Sequence, residues 1–183
     1  MAQKTTKALT DNEVKKILRY VKPKYRNLLL FEVNTGLRIS DAVRLKVSDI
    51  KNCKLEIIEK KTGKPQITEI NKDLVKYLKV NRVTKGKYLF LEGKKDIEIE
   101  ARNFIRNVQM AIIEACDMEN IDSTFISTHS FRKTFATRAY NATKDILIVK
   151  ELLNHSSVQI TQRYINVNKD EADEVRRKTR IGF

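Results

Sequence analysis

Four short segments of the chain concentrate side chains able to work on a phosphodiester. Thr35-Gly36-Leu37-Arg38-Ile39-Ser40-Asp41 puts an arginine directly after a helix stop. A basic hairpin tip carries Lys60, Lys61 and Lys64, and His129-Ser130-Phe131-Arg132 sets a histidine and an arginine three apart, on one helix face. Leu152-Leu153-Asn154-His155 is followed nine residues later by Tyr164. Nine residues along one continuous helix would put His155 and Tyr164 on opposite sides. Ser156-Ser157-Val158-Gln159 reads as a capping box, Ser156 to Gln159, which breaks that helix and lets both face one site. Two arginines, a lysine, two histidines and a tyrosine suit phosphodiester transesterification. Guanidinium forks match the non-bridging oxygens of a pentavalent phosphorane. A phenol, with an ordinary pKa of about 10, needs a base or electrostatic help to attack at neutral pH, and a lysine on a hairpin tip can protonate the leaving alkoxide. No carboxylate cluster of the two-metal kind is visible, so neither metal nor other cofactor is expected.

Charge and composition agree with a polyanionic partner. The 183 residues hold 37 Lys and Arg against 23 Asp and Glu, a net charge of +14. The surplus is spread: +6 over residues 1–30, +4 over 38–64, +3 over 119–169 and zero over the last fourteen residues. A surplus distributed in this way fits a folded surface that meets a phosphate backbone better than a tethering tail. Two cysteines, Cys53 and Cys116, are too few and too far apart for a disulfide scaffold or a zinc finger, and suit a reducing cytosol. No apolar run approaches a membrane span, and the N-terminus lacks the apolar stretch of a secretory signal.

Glycine and proline total seven, below the usual share of about 12%, which points to a mostly helical α+β domain. Thr10 to Glu13 reads as a capping box opening a helix through Val21, and Pro23 starts a second helix that stops at Gly36. A short third helix is expected from Ser40 to Leu45. Residues 54–59 and 66–70, joined by Thr62-Gly63-Lys64-Pro65, read as an antiparallel hairpin. Helices are expected from Asn71, from about Glu100 to Met118 (Phe104, Ile105, Val108, Ile112 and Ala115 inward), from about His129 to Asn141, from Asp145 to Leu153, and briefly before Tyr164. A charged helix, Asp170 to Lys178, closes the chain.

Taken singly, each site residue has a plainer reading: Arg38 as a structural partner of Asp41, Lys61 as a solvated hairpin lysine, His129 as a surface or first-turn histidine, His155 as a loop residue, Tyr164 as one of six tyrosines. Together they carry a resemblance. TGLRISDAVRLKVSDI (35–50), KKTGK (60–64), HSFRKTFATRAY (129–140) and LLNHSSVQITQRYINV (152–167) resemble, in order and spacing, the catalytic domain of the tyrosine recombinases, the family of phage integrases and Xer-type recombinases. The resemblance runs from Ala8 to about Val167. It implies that family's catalytic-domain fold, with a small antiparallel sheet or hairpin. It also implies duplex DNA as substrate and a 3′-phosphotyrosyl intermediate, formed without metal or ATP. Tyr164 would attack the phosphate, Arg38 and Arg132 would clamp its oxygens, and Lys61 would protonate the 5′ oxygen. His129 would assist proton transfer at the tyrosine and His155 would hydrogen-bond the phosphate. Arg44, Lys46, Lys64, Lys133, Arg138 and Arg163 are read as DNA-phosphate contacts. The departures are Lys133 for a frequent His, Asn154 for a common Gly, Asp41 for a frequent Glu and Thr143 where a Gly often sits; none removes a catalytic group.

The chain is read as one catalytic domain, 1–183, with a tail over 168–183 of the kind that such enzymes exchange between subunits. The N-terminal helical domain usual in the family is not seen, which fits either an excised catalytic domain or a small one-domain recombinase. A homotetramer on paired DNA sites, a monomer or weak dimer off DNA, and a bacterial or phage-encoded cytoplasmic protein are expected. Two rivals stand beside this reading: a non-cleaving DNA-binding regulator on the same fold, and a type IB topoisomerase-like relaxing enzyme.

Overall fold

The computed structural model describes residues 6–93, 96–164 and 177–178. Helix α1 (Asp11–Tyr20) opens with the Thr10–Glu13 capping box and buries Val14 and Ile17. Helix α2 (Pro23–Thr35) starts on its proline and buries residues on every side, Leu28, Leu29, Phe31 and Val33 among them. It is therefore the central rod of the core. One turn, α3 (Ile39–Ala42), leads through a 3-10 turn at Val47–Asp49 into a three-stranded antiparallel sheet. The strands are β1 (Ile50–Lys51), β2 (Lys54–Ile58) and β3 (Pro65–Glu69), in that order, with Leu55 opposite Thr68 and Ile57 opposite Gln66. Helix α4 (Lys72–Val80) follows, its N-terminus capped by Asn71. The buried segment Tyr88–Leu91 bridges back to Lys46. Helix α5 (Ile97–Met118) packs beside α1, and α6 (Thr128–Thr143) beside α2. Two short helices, α7 (Ile146–Leu152) and α8 (Val158–Gln162), bring the chain to Tyr164.

Three boundaries differ from the sequence expectation for identifiable reasons. Helix α3 ends at Ala42, because Val43 to Leu45 turn the chain toward the sheet. Helix α5 starts three residues early: the Asp96 carboxylate accepts from the Glu98 and Ile99 amides and supplies the cap. Of its expected inward face, Val108, Ile112 and Ala115 are buried, whereas Phe104 and Ile105 are only partly covered. The cap of α8 is Ser157, with no side-chain cap bond, and not a Ser156–Gln159 box. The expected helix Asp170 to Lys178 lies outside the described residues, save Arg177 and Lys178, which are helical.

Beside the main core sits a small satellite. Ala136, Val149 and Leu153 pack with Phe135, Ala139, Tyr140, Ile146 and Tyr164. This cluster fixes α7 and Tyr164 against α6. The N-terminal segment lies along the same helix: the Leu9 amide donates to Thr134 Oγ1 (2.8 Å), and Lys133 Nζ donates to the Thr6 carbonyl (2.8 Å).

Two core positions generate tests. Gly36 ends α2 at φ +67°, and a Cβ there would fall 2.3 Å from Phe135 Cδ1. Left-handed backbone costs an L-residue about 1–2 kcal/mol, and overpacking of this kind about 1–3 more. Gly36→Ala is expected to destabilise by roughly 3 kcal/mol, read by urea unfolding, with part of the loss recovered by adding Phe135→Leu. Glu32 is fully buried on α2 and neither carboxyl oxygen has a hydrogen-bond partner. Burial pushes its carboxyl well above the ordinary 4.5, against the pull of the Arg132 charge. A raised folded value means that Glu32 contributes its full stability below the unfolded value and loses it as pH rises. Measured against Glu32→Gln across a pH series, wild type should lose ground steadily above about pH 4.5; parallel curves would show that Glu32 is ionised in the fold.

Candidate active site

The centre of the site is a cation with no solvent exposure. Arg132, in the second turn of α6, donates through Nη1 to the Gly36 carbonyl and through Nη2 to the Leu153 carbonyl at 3.0 Å. These two residues cap the C-termini of α2 and α7, where unpaired carbonyls point outward. Arg132 Nη2 also lies 3.1 Å from His155 Nε2. A guanidinium can only donate, so this nitrogen of His155 is the acceptor. The proton therefore sits on Nδ1, which donates to Thr161 Oγ1 at 3.0 Å. In this state both nitrogens of His155 are engaged and it braces Arg132, with no donor left for a phosphate.

His155 reaches this position because Asn154 adopts φ +52°. After glycine, asparagine is the residue that best tolerates left-handed backbone, and it holds the turn here. Between His155 and Tyr164 the helical path is broken at Ser157, whose extended backbone precedes α8, rather than by a Ser156–Gln159 box.

The Tyr164 ring lies 6.0 Å from the Arg132 guanidinium carbon and close to both histidines, with centroids 5.2 Å from His129 and 5.1 Å from His155. Its hydroxyl is 2.6 Å from His129 Nε2. The Ser127 side chain caps α6 and accepts from the His129 amide, which fixes that histidine in the first turn. Burial pushes His129 down to about 4, aided by the charges of Arg132, Arg38, Lys133 and Lys61. His155 also falls to about 4, from burial and then the Arg132 and Arg38 charges. Both imidazoles are thus neutral at pH 7, and His129 has a lone pair to offer the phenol.

Arg38, Lys61, Lys64, His129, His155 and Tyr164 line one open cavity of about 580 Å³. Five of the six expected catalytic residues therefore share a wall, and the sixth, Arg132, lies directly behind Tyr164 and His155. Arg38 does not pair with Asp41. Its Nη1 is 2.7 Å from Glu59 Oε1, and Asp41 instead accepts from the Lys60 amide at 3.0 Å. That bond, with Lys60 Nζ on Glu98, ties the hairpin tip to the body of the domain.

The expected DNA contacts divide. Lys64 is exposed at the cavity mouth, and Lys46 and Arg163 are exposed on the surface. Arg44 is committed to a two-pronged pair with Glu98, at 3.0 and 2.8 Å, and Arg138 pairs with Asp11. Lys133 departs from expectation: it is 7% exposed, its ammonium spent on the Thr6 carbonyl. This lysine pins the N-terminal segment to α6.

Sequence reasoning missed Glu59, Glu32 and Thr161, each 1% exposed or less. Glu59 had a signal. It continues the inward register of Leu55 and Ile57 beyond the end of β2, so an acid there faces the protein interior. Thr161 and Glu32 carried none, because their partners come from distant segments. Among the described residues no group of three His, Cys, Asp or Glu could hold a metal ion, and no helix is long and apolar enough to cross a membrane.

The chain has relatives among known proteins. Residues 7–171 match the model of the phage integrase family. The chain is 34% identical over 166 residues to the probable integrase/recombinase YoeC of Bacillus subtilis, covering 86% of each. It is 30% identical over 183 residues to the tyrosine recombinase XerA of Pyrococcus horikoshii, spanning 96% of this chain but 62% of that one. The fold also matches a crystal structure of a lambda integrase tetramer bound to a Holliday junction, with TM-score 0.70 at 18% identity, over 91% of this chain and 50% of that one. The match extends from the N-terminal segment past the tyrosine, and the chain belongs to the phage integrase family of tyrosine recombinases.

Proposed function

We propose that this chain cuts and rejoins duplex DNA by transesterification at Tyr164. The observation that carries the reading is the 2.6 Å contact between Tyr164 Oη and a neutral His129 Nε2, beside a cavity lined by Arg38 and Lys61 and backed by Arg132. The phenol oxygen attacks the scissile phosphorus and gives its proton to His129. The bond from phosphorus to the 5′ oxygen breaks, and Lys61 protonates the departing oxygen. A 3′-phosphotyrosyl link results, and the reverse steps with a new 5′ hydroxyl rejoin the strand. One phosphoester replaces another, so the bond energy is conserved and no nucleotide is consumed.

Arg38 and Arg132 stabilise the charge that grows on the non-bridging oxygens. An incoming phosphate also offsets the cations that depress His129, making it a better base when substrate is present. Because Arg132 is wholly covered, DNA engagement requires the Tyr164 and His155 side chains to open locally over it. His155 then serves first as the brace of Arg132, and gains a donor for phosphate only once Arg132 releases Nε2 and that nitrogen takes a proton, by tautomer exchange or protonation of the ring.

Exposed Lys46, Lys64 and Arg163 are assigned to the DNA backbone, with counterion release supplying much of the affinity. Action in the cytoplasm, as a tetramer on two paired sites, follows from the same reading. The contact between base and nucleophile also favours cutting over the non-cleaving regulator, for which a poised phenol has no use.

Covalent trapping tests the chemistry. Incubated with nicked duplexes that lose the 5′ fragment after cleavage, the protein is expected to give an SDS-resistant DNA adduct that Tyr164→Phe abolishes. An adduct surviving in Tyr164→Phe would assign another nucleophile, and DNA binding with no adduct on any duplex would favour the regulator. Lys61→Ala should slow adduct formation by roughly 10²–10⁴-fold. Replacing the leaving 5′ oxygen by sulfur should restore most of that rate, because a thiolate departs without a proton. An unrestored rate would place Lys61 elsewhere in the reaction.

A further inference from the structure

Glu59 is a carboxylate buried in a site whose proposed ligand is itself an anion. It is 1% exposed, and its Oε1 lies 2.7 Å from Arg38 Nη1. The pair is close but poorly aligned: neither Arg38 Nη1 nor Glu59 Oε1 completes a hydrogen bond, although both atoms are shut off from solvent. Buried polar atoms in that condition are costly. The other carboxylate oxygen accepts from the Thr62 hydroxyl, on the residue next to Lys61. Burial pushes the Glu59 carboxyl up, but the Thr62 and Arg38 contacts and the charges of Arg38 and Arg132 outweigh it and hold the group below the usual range. A single internal anion thus feels both arginines that the proposed reaction assigns to the phosphate.

We propose that Glu59 is a built-in stand-in for the scissile phosphate, occupying Arg38 in the DNA-free protein and competing with the phosphodiester for it. The inference rests on the reading of this cavity as a phosphodiester site. Arg38 has five N–H donors and its pairing with Glu59 is misaligned, so a phosphate oxygen offers the guanidinium a better acceptor. Two anions on one partly buried cation repel, and the charge of Glu59 therefore lowers affinity for DNA while it keeps Arg38 ordered and paired when DNA is absent. Through Thr62 the same carboxylate connects the state of Arg38 to the turn that carries Lys61. A loosely bound, non-cognate phosphate has to displace Glu59 before the arginine engages, which filters weak encounters.

The test is non-covalent binding of a fluorescein-labelled duplex of arbitrary sequence, with Tyr164→Phe present throughout to block chemistry. Glu59→Gln keeps an acceptor for Thr62 and removes the charge. It should tighten binding roughly fivefold, equivalent to about 1 kcal/mol. Glu56→Gln, at an exposed acid on the same strand, reports the effect of removing any negative charge and should give a smaller gain that fades with added salt. In an Arg38→Ala background the extra gain from Glu59→Gln should vanish, since the two residues act through one contact. Unfolding curves check that each variant is folded, and Glu59→Asp serves where Glu59→Gln is not. One methylene shorter, an aspartate keeps the charge but holds Arg38 less closely, and should tighten binding by less than glutamine does. Unchanged or weaker binding by folded Glu59→Gln, or a gain that survives Arg38→Ala, overturns the proposal while leaving the recombinase reading intact. Absence of duplex binding by every protein, with no adduct from wild type, would bring down both.

Discussion

A buried guanidinium organises this domain. Arg132 sits at zero exposure among carbonyls from two different helix ends, Gly36 of α2 and Leu153 of α7. Removing an arginine from water costs several kcal/mol, and helix C-termini are among the few neutral groups that offset such a cost, because their unpaired carbonyls carry partial negative charge. Holding Arg132 therefore requires α2, α6 and α7 to converge at one point. The same convergence brings Arg38, two residues past Gly36, and His155, two residues past Leu153, to the same spot. Much of the candidate active site follows from satisfying this one cation.

Left-handed backbone makes the convergence geometrically feasible. Gly36 at φ +67° and Asn154 at φ +52° each turn the chain sharply at the end of a helical segment, before a site residue is delivered. Phe135 fills the space that a side chain on Gly36 would need, so the turn and the packing of α6 constrain one another. Asn154 does the same work for His155. The turns thus share a conformation and a purpose, although only one of them is a glycine.

Charge in the site is balanced in layers. Arg38, Arg132 and Lys61 are cationic, both histidines are held neutral by burial and by those cations, and burial pushes the Glu32 carboxyl above its ordinary value. Glu59 is the ionised counter-charge beside Arg38. The result is a cavity with surplus positive charge at its wall and a neutral imidazole against the Tyr164 hydroxyl. Such a wall suits an anionic ligand, and neutrality at His129 leaves a proton acceptor beside the phenol.

The sequence by itself determined the chemistry and most of the helices. Arg38, Lys61, His129, Arg132, His155 and Tyr164 stand in motifs whose residue types suit a phosphodiester and whose order and spacing resemble the family's. Capping at Thr10, the proline start at Pro23, the glycine stop at Gly36 and the alternation in the hairpin are local effects, set by neighbours a few residues away. What the tertiary structure decided is how those groups are held and charged. The partner of Arg38 is Glu59 rather than nearby Asp41, His155 engages Arg132 and Thr161, and Lys133 faces an N-terminal segment instead of solvent. Whether Arg44 and Arg138 are free or paired was equally invisible, since Glu98 and Asp11 lie 54 and 127 residues away. Local backbone preference acts over a turn or two and is written in adjacent residues, whereas burial and ion pairing depend on which distant segments meet. The same lysine or glutamate therefore reads alike along the chain until folding gives it a neighbour.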